Sequence, residues 1–142
     1  MGEAVTYGKY LKLDELLSLQ QPRHEVEHDE MLFIIIHQVY ELWFKEVLHE
    51  LDYCAGLLAE GQVPRAQHTL KRVLTILKVL VAQLDILETM TPTEFLTFRE
   101  RLESASGFQS DQFRALEFAL GKKTRAAVER FEEGSRAREM LE

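Results

Sequence analysis

Apolar residues recur at helical spacing along most of the chain. Between residue 29 and about residue 60, Leu32, Phe33, Ile36, Tyr40, Trp43, Phe44, Val47, Leu48 and Leu51 fall three or four apart, which is one face of a long helix. The triplet Ile34-Ile35-Ile36 favours a strand locally, but the pattern around it is helical and long. Asp29 suits the N-cap, with further acids beside it, and Gly61 is a stop. Pro64 opens a second helix at its first turn. Over residues 64–89, Leu70, Val73, Leu74, Leu77, Leu80, Val81, Leu84 and Leu87 keep the period. Thr91-Pro92-Thr93-Glu94 reads as a capping box with proline at the first helical position, so a third helix is predicted to about Glu103. Ser104-Ala105-Ser106-Gly107 breaks the pattern. A fourth helix is predicted over Ser110–Leu120, stopped by Gly121. Residues 122–142 are charged and helix-prone, anchored by Ala127, Val128, Phe131, Met140 and Leu141. Near the N-terminus, Leu11, Leu13, Leu16 and Leu17 suit a short helix around Asp14, which Pro22 interrupts.

These elements predict an all-α fold, a helical bundle with two long antiparallel helices. Residues 1–142 read as a single helical domain: an arm over 1–28, a core over 29–121 and a C-terminal helix over 122–142. The last residues carry no stop signal, so that helix reads as truncated. Three prolines and seven glycines leave little room for the tight turns of a sheet protein. Composition then removes several functions. A net charge of −7 with no basic block argues against a nucleic-acid partner. No stretch of 18 uncharged apolar residues is present, so no membrane span is predicted. Cys54 is the single cysteine, which rules out an intrachain disulfide. Without a signal-peptide pattern, this points to the cytoplasm.

The candidate chemistry lies in the run from Met31 to Phe44, which is apolar enough to predict burial and which contains His37. A buried polar group without a partner costs roughly 1–3 kcal/mol. Two readings compete: a core imidazole bonded to a carbonyl, or the polar contact of a pocket for a flat aromatic ligand. Phe33 lies four residues before His37, and Tyr40 and Phe44 continue the face. Phe95 and Arg99 repeat the spacing on the third helix, where the guanidinium would hold a carboxylate or pair with a nearby acid such as Glu100 or Glu103. Tyr7-Gly8-Lys9-Tyr10 would pack or close over a pocket. Ser106-Gly107-Phe108-Gln109-Ser110 is an interhelical loop or a ligand-facing helix start. His24, His28, His49 and His68 read as solvated, and Cys54 as an inert small hydrophobe. Glycine-rich phosphate loops, His-Glu-x-x-His and Cys-x-x-Cys motifs are absent from the sequence.

Taken together, these segments resemble the tryptophan 2,3-dioxygenase family. The resemblance rests on Tyr7-Gly8-x-Tyr10-Leu11-x-Leu13-Asp14-x-Leu16-Leu17 and on His28-Asp29-Glu30-Met31-Leu32-Phe33-Ile34-x-x-His37-Gln38. It continues through Glu41-Leu42-Trp43, Lys45 and His49-Glu50-Leu51, then Met90-Thr91-Pro92-x-Glu94-Phe95-Leu96-x-Phe98-Arg99 and Ser106-Gly107-Phe108-Gln109-Ser110. It implies an all-helical tetramer with haem b that inserts O₂ across the indole C2–C3 bond of L-tryptophan to give N-formylkynurenine. By the same resemblance His37 is the distal histidine facing the indole N–H. Phe33 and Phe95 wall the indole pocket, and Arg99 grips the substrate carboxylate. Tyr7, Tyr10 and Leu11 form an arm that enters a neighbouring subunit's site, making a homotetramer with arm exchange. Ser106, Gly107 and Ser110 border the haem. The resemblance places the proximal haem-ligating histidine in a C-terminal half absent from this chain, so no metal ligand is expected here. A rival of another class is a non-catalytic assembly or regulatory protein that keeps the scaffold.

Overall fold

Two long helices carry the structure, a computed structural model that describes residues 2, 4–99, 109–123, 125, 129 and 139. In chain order the helices are α1 (Tyr7–Leu11), α2 (Leu13–Leu16), α3 (Glu30–Ala59), α4 (Val63–Leu87), α5 (Pro92–Arg99) and α6 (Asp111–Ala119). No strand occurs among the described residues. The all-α prediction and the antiparallel pair both stand. Gly61 ends the turn between α3 and α4 with φ +73°, a left-handed conformation that glycine adopts without a Cβ penalty. The predicted end of the third helix near Glu103 and the C-terminal helix lie largely outside the described residues.

Three contacts fix the register of α3 on α4. Tyr40 Oη donates to the Leu80 carbonyl at 2.7 Å. Arg72 Nη1 donates to Glu50 Oε1 at 2.9 Å. The Cys54 thiol meets the Ala66 carbonyl at 3.7 Å. Burial alone would raise the Glu50 carboxyl, but the Arg72 guanidinium holds it below the usual glutamate range. Val47, Val73, Ile76, Leu80 and Leu116 close the core where α6 packs on the hairpin, with Tyr40, Trp43 and Phe44 against them. Cys54, Leu57 and Ala66 form a second cluster nearer the turn. Cys54 is thus the small buried hydrophobe expected.

The apolar run is less buried than predicted. Ile36 is buried, whereas Met31, Ile35 and Leu42 are 38%, 42% and 54% exposed. Successive side chains turn by about 100° around a helix, so consecutive isoleucines cannot all face α4. The stripe on α4 behaves likewise: Val73 and Leu80 are buried, while Leu70, Leu74, Val81 and Leu84 are exposed.

Within α4 the α3-facing positions Ala66, Thr69, Val73, Ile76 and Leu80 are spaced three and four apart, and Gln83 comes next. Its Oε1 is buried and, among the described residues, has no hydrogen-bond donor. Removing an orphaned acceptor gains on the order of 1 kcal/mol. Gln83→Met, similar in volume, is therefore expected to raise the melting temperature by about 2–4 °C. Thermal unfolding followed by circular dichroism checks this, and a lower melting temperature would mean the amide has a structural partner.

The arm differs from its prediction. Helix begins at Tyr7, earlier than expected, because Thr6 Oγ1 accepts from the Lys9 N–H at 3.4 Å as an N-cap. Lys12 then takes φ 52°, ψ 48°, which splits the predicted short helix into α1 and α2. Beyond α2 the chain is tied to α3. Gln38 Nε2 donates to the Leu19 carbonyl at 2.9 Å, and its Oε1 accepts from Gln20 at 2.8 Å. Glu30 is 1% exposed and accepts from Arg23 N at 2.7 Å, His24 N at 3.1 Å and His24 Nδ1 at 3.0 Å. His24 is therefore not solvated, as its polar neighbours had suggested, but is the partner of a buried carboxylate. His28, His49 and His68 are exposed, as expected.

Candidate active site

His37 sits about two turns into α3 and makes the carbonyl bond that the first of its two sequence readings expects. Its Nδ1 lies 2.7 Å from the Phe33 carbonyl, four residues back. A carbonyl only accepts, so Nδ1 carries a hydrogen, and the neutral tautomer that matches this bond has its lone pair on Nε2. Among the described residues Nε2 has no hydrogen-bond partner. The ring is half-buried and stacks on Phe33, with centroids 4.2 Å apart and planes at 34°. This is a satisfied imidazole that still offers one acceptor.

Helix α5 brings the second half of the candidate set to the first. Its start is the predicted capping box: Thr91 N donates to Glu94 Oε2 at 3.0 Å, and Glu94 N donates to Thr91 Oγ1 at 3.3 Å. The Thr91 hydroxyl and backbone N–H hold the Glu94 carboxyl below the usual glutamate range. Asp29 does not cap α3 with its side chain, contrary to expectation. Its carboxyl instead hydrogen-bonds Glu94, and desolvation, that bond and the neighbouring charge push it up, against the opposing pull of His28. A carboxyl pair therefore joins the starts of α3 and α5. Just beyond it the Phe33 and Phe95 rings lie 6.3 Å apart. The Arg99 guanidinium stands 5.7 Å from the Phe95 ring centroid and is exposed.

Arg99, Phe95, Phe33 and His37 thus form one continuous line of contacts across two helices. Chemically it is an aromatic wall with an imidazole at one end and a guanidinium at the other. Such a wall suits a flat ring that bears an N–H donor and a carboxylate. Tyr40 and Phe44, expected to continue the wall, turn into the core instead. Their rings are 6.0 Å apart, and Phe44 meets Phe113 of α6 at 5.6 Å.

The remaining candidates stand apart. Tyr7, Tyr10 and Leu11 are 76%, 77% and 42% exposed, on the arm and not on the helices that carry the wall. Ser106 and Gly107 lie outside the described residues. Ser110 caps α6 by accepting from Phe113 N at 3.1 Å, and its hydroxyl donates to Glu41 at 2.5 Å. Sequence reasoning missed Glu30, Gln38 and Glu41, three polar residues in or beside an apolar run. The polar interruption itself was the available signal. A groove of about 600 Å³ on α3 and α4 is lined by Val39, Leu42, Trp43, Glu46, Arg72 and Ile76, none of them a candidate residue. Among the described residues no three His, Cys, Asp or Glu side chains converge on a metal position, and no helix is long and apolar enough to cross a membrane.

Comparison with known proteins bears on this geometry. The family model for tryptophan 2,3-dioxygenase matches residues 1–139. A tryptophan 2,3-dioxygenase of Herpetosiphon aurantiacus is 61% identical over 132 residues, covering 92% of this chain and 51% of the relative. One of Anaeromyxobacter sp. (strain K) is 64% identical over 120 residues, covering 84% of this chain and 45% of the relative. One of Caulobacter vibrioides is 49% identical over 141 residues, covering 99% and 53%. The chain spans about half the length of the curated relatives it matches. Matched along nearly its whole length, this chain belongs to the tryptophan 2,3-dioxygenase family.

Proposed function

We propose that this chain supplies the substrate-gripping face of a haem-dependent dioxygenase that inserts O₂ across the indole C2–C3 bond of L-tryptophan to give N-formylkynurenine. The observation that carries the reading is the state of His37. Its Nδ1–H is committed to the Phe33 carbonyl, so Nε2 is the acceptor that an indole N–H requires. Phe33 and Phe95 would stack on the ring, and Arg99 would hold the carboxylate in bidentate fashion. Fixing one molecule at three points lowers the entropy cost of reaching the reactive geometry. The imidazole holds the indole proton at Nε2, and the apolar wall strengthens that bond by excluding water.

The Phe33, His37 and Phe95 rings, in contact along one line, are a lining that would accept the apolar face of a haem. Ser106, Gly107 and Ser110 would lie at its edge. Haem, when bound, supplies the oxygen chemistry. By family resemblance the haem-ligating histidine would come from the part of the relatives that this chain does not span. Tyr7, Tyr10 and Leu11 would complete the site of a neighbouring copy in a cytoplasmic homotetramer. Residues 1–28 would act as an exchanged arm and residues 29–121 as the core.

The test is spectroscopic. The complete protein, with haemin added, is expected to show a Soret band that shifts with L-tryptophan. His37→Ala is expected to retain the band but lower turnover by about 10²-fold, the usual scale for removing a positioned proton partner. A protein that takes up no haemin would instead support a non-catalytic member of the scaffold. Loss of haem in His37→Ala would place the residue on the wrong side of the cofactor.

A further inference from the structure

Glu41 lies one helical turn beyond His37 on α3. It is half-buried, and among the described residues no cation pairs with it. Among the described residues its hydrogen bonds to other elements all come from the start of α6. Ser110 Oγ donates to Oε1 at 2.5 Å. Gln112 Nε2 donates to Oε2 at 2.8 Å and to the Glu41 carbonyl at 2.8 Å. These bonds span 69 and 71 residues of sequence. The Phe44–Phe113 ring contact, 5.6 Å between centroids, secures the same turn from the apolar side.

The arrangement also settles what Ser110 can do. Its one hydroxyl hydrogen goes to Glu41, and one lone pair takes the Phe113 N–H. A single acceptor position remains. Ser110 therefore meets a ligand as an acceptor and has no hydrogen to give a carboxylate. A neutral side chain at position 41 would not enforce this, because an amide offers donors as well as an acceptor.

We propose that Glu41 is a positioning residue of the site: it fixes the first turn of α6 one turn from His37 and holds the Ser110 hydroxyl as an acceptor. The inference rests on the functional reading above and concerns how that site is assembled. If it holds, Glu41 and Ser110 act as one unit.

The experiment compares wild type, Glu41→Gln, Glu41→Asp, Ser110→Ala and the Glu41→Gln/Ser110→Ala double variant, all in the full protein. Amide hydrogen exchange at Phe113 is read first, without cofactor. Haemin affinity and Soret position with and without L-tryptophan are read second. Glu41→Gln is expected to speed Phe113 exchange and weaken haemin binding about tenfold, the lower end of effects seen when an orienting partner is removed. The double variant is expected to be no weaker than Ser110→Ala alone, since coupled residues are not additive. Glu41→Asp, which restores the anionic acceptor, is expected to recover part of the affinity. Faster exchange with unchanged haemin affinity and Soret position would make Glu41 a plain structural anchor and overturn the proposal. Additive losses would overturn it as well. A wild-type protein that forms no Soret band defeats the functional reading and this inference together, whereas a wild-type band untouched by the substitution defeats this inference alone.

Discussion

Glu30→Ala is expected to destabilise the protein by about 3–5 kcal/mol, the cost of stripping one side from a buried charged cluster. The carboxylate is almost fully buried and accepts three hydrogen bonds, from Arg23 N, His24 N and His24 Nδ1. Removing it leaves three donors facing a cavity. The same residue gives the protein an acid limb. Burial pushes its carboxyl upward, but the Arg23 N–H, the His24 ring, the His24 N–H and the His24 charge outweigh burial and leave it below the usual glutamate range. A lowered folded value means the contribution is fully present above the ordinary glutamate value. It is lost as pH falls through the folded one. Denaturant unfolding across neutral and acid pH should show wild type losing stability in that window and Glu30→Ala losing less. Limited proteolysis should also cut the Glu30→Ala variant faster near the exposed Arg23. Equal stability of the two proteins at neutral pH would show that the clamp contributes nothing.

Arg99→Ala is expected to raise the Michaelis constant for tryptophan about 30-fold with little change in turnover. A charge-assisted bond to a carboxylate contributes roughly 1.5–3 kcal/mol, and loss of a contact made equally in ground and transition states appears in the Michaelis constant. The exposed guanidinium beside the Phe95 ring is where a ligand carboxylate would meet it. Lysine should restore only part of the affinity, because a point charge lacks the planar fork. Indole-3-propionate and tryptamine separate the parts: the variant should discriminate against losing the carboxylate far less than wild type does. An unchanged Michaelis constant would remove Arg99 from the site.

The helices were legible because their boundaries are written in local chemistry. Gly61, Pro64, Pro92 and Gly121 punctuate the chain, and the Thr91–Glu94 box forms as its sequence indicates. The pairs Phe33–His37 and Phe95–Arg99 were equally local, each four residues apart on one helix. That the two pairs meet was implied only by the family resemblance, since spacing cannot relate two separate helices. What escaped was of two kinds. Glu30, Gln38 and Glu41 look like solvated polar positions, because their partners lie in other elements. Asp29, a good N-cap by type, is engaged instead by Glu94, and a partner outside the helix took precedence over a local preference. The split of the arm into α1 and α2 also went unseen, because the left-handed residue between them is Lys12 and not glycine.

Helix α3 carries the arm's two ties at Glu30 and Gln38, the imidazole at His37 and the α6 anchor at Glu41, all on one rigid rod. Adding or deleting one residue between any two of them would rotate everything downstream by about 100° and slide it by about 1.5 Å. Length changes in this stretch have nowhere to be absorbed. The joints outside the rod are where added length leaves these groups in place, and within the rod the distance from arm root to imidazole is a fixed gauge.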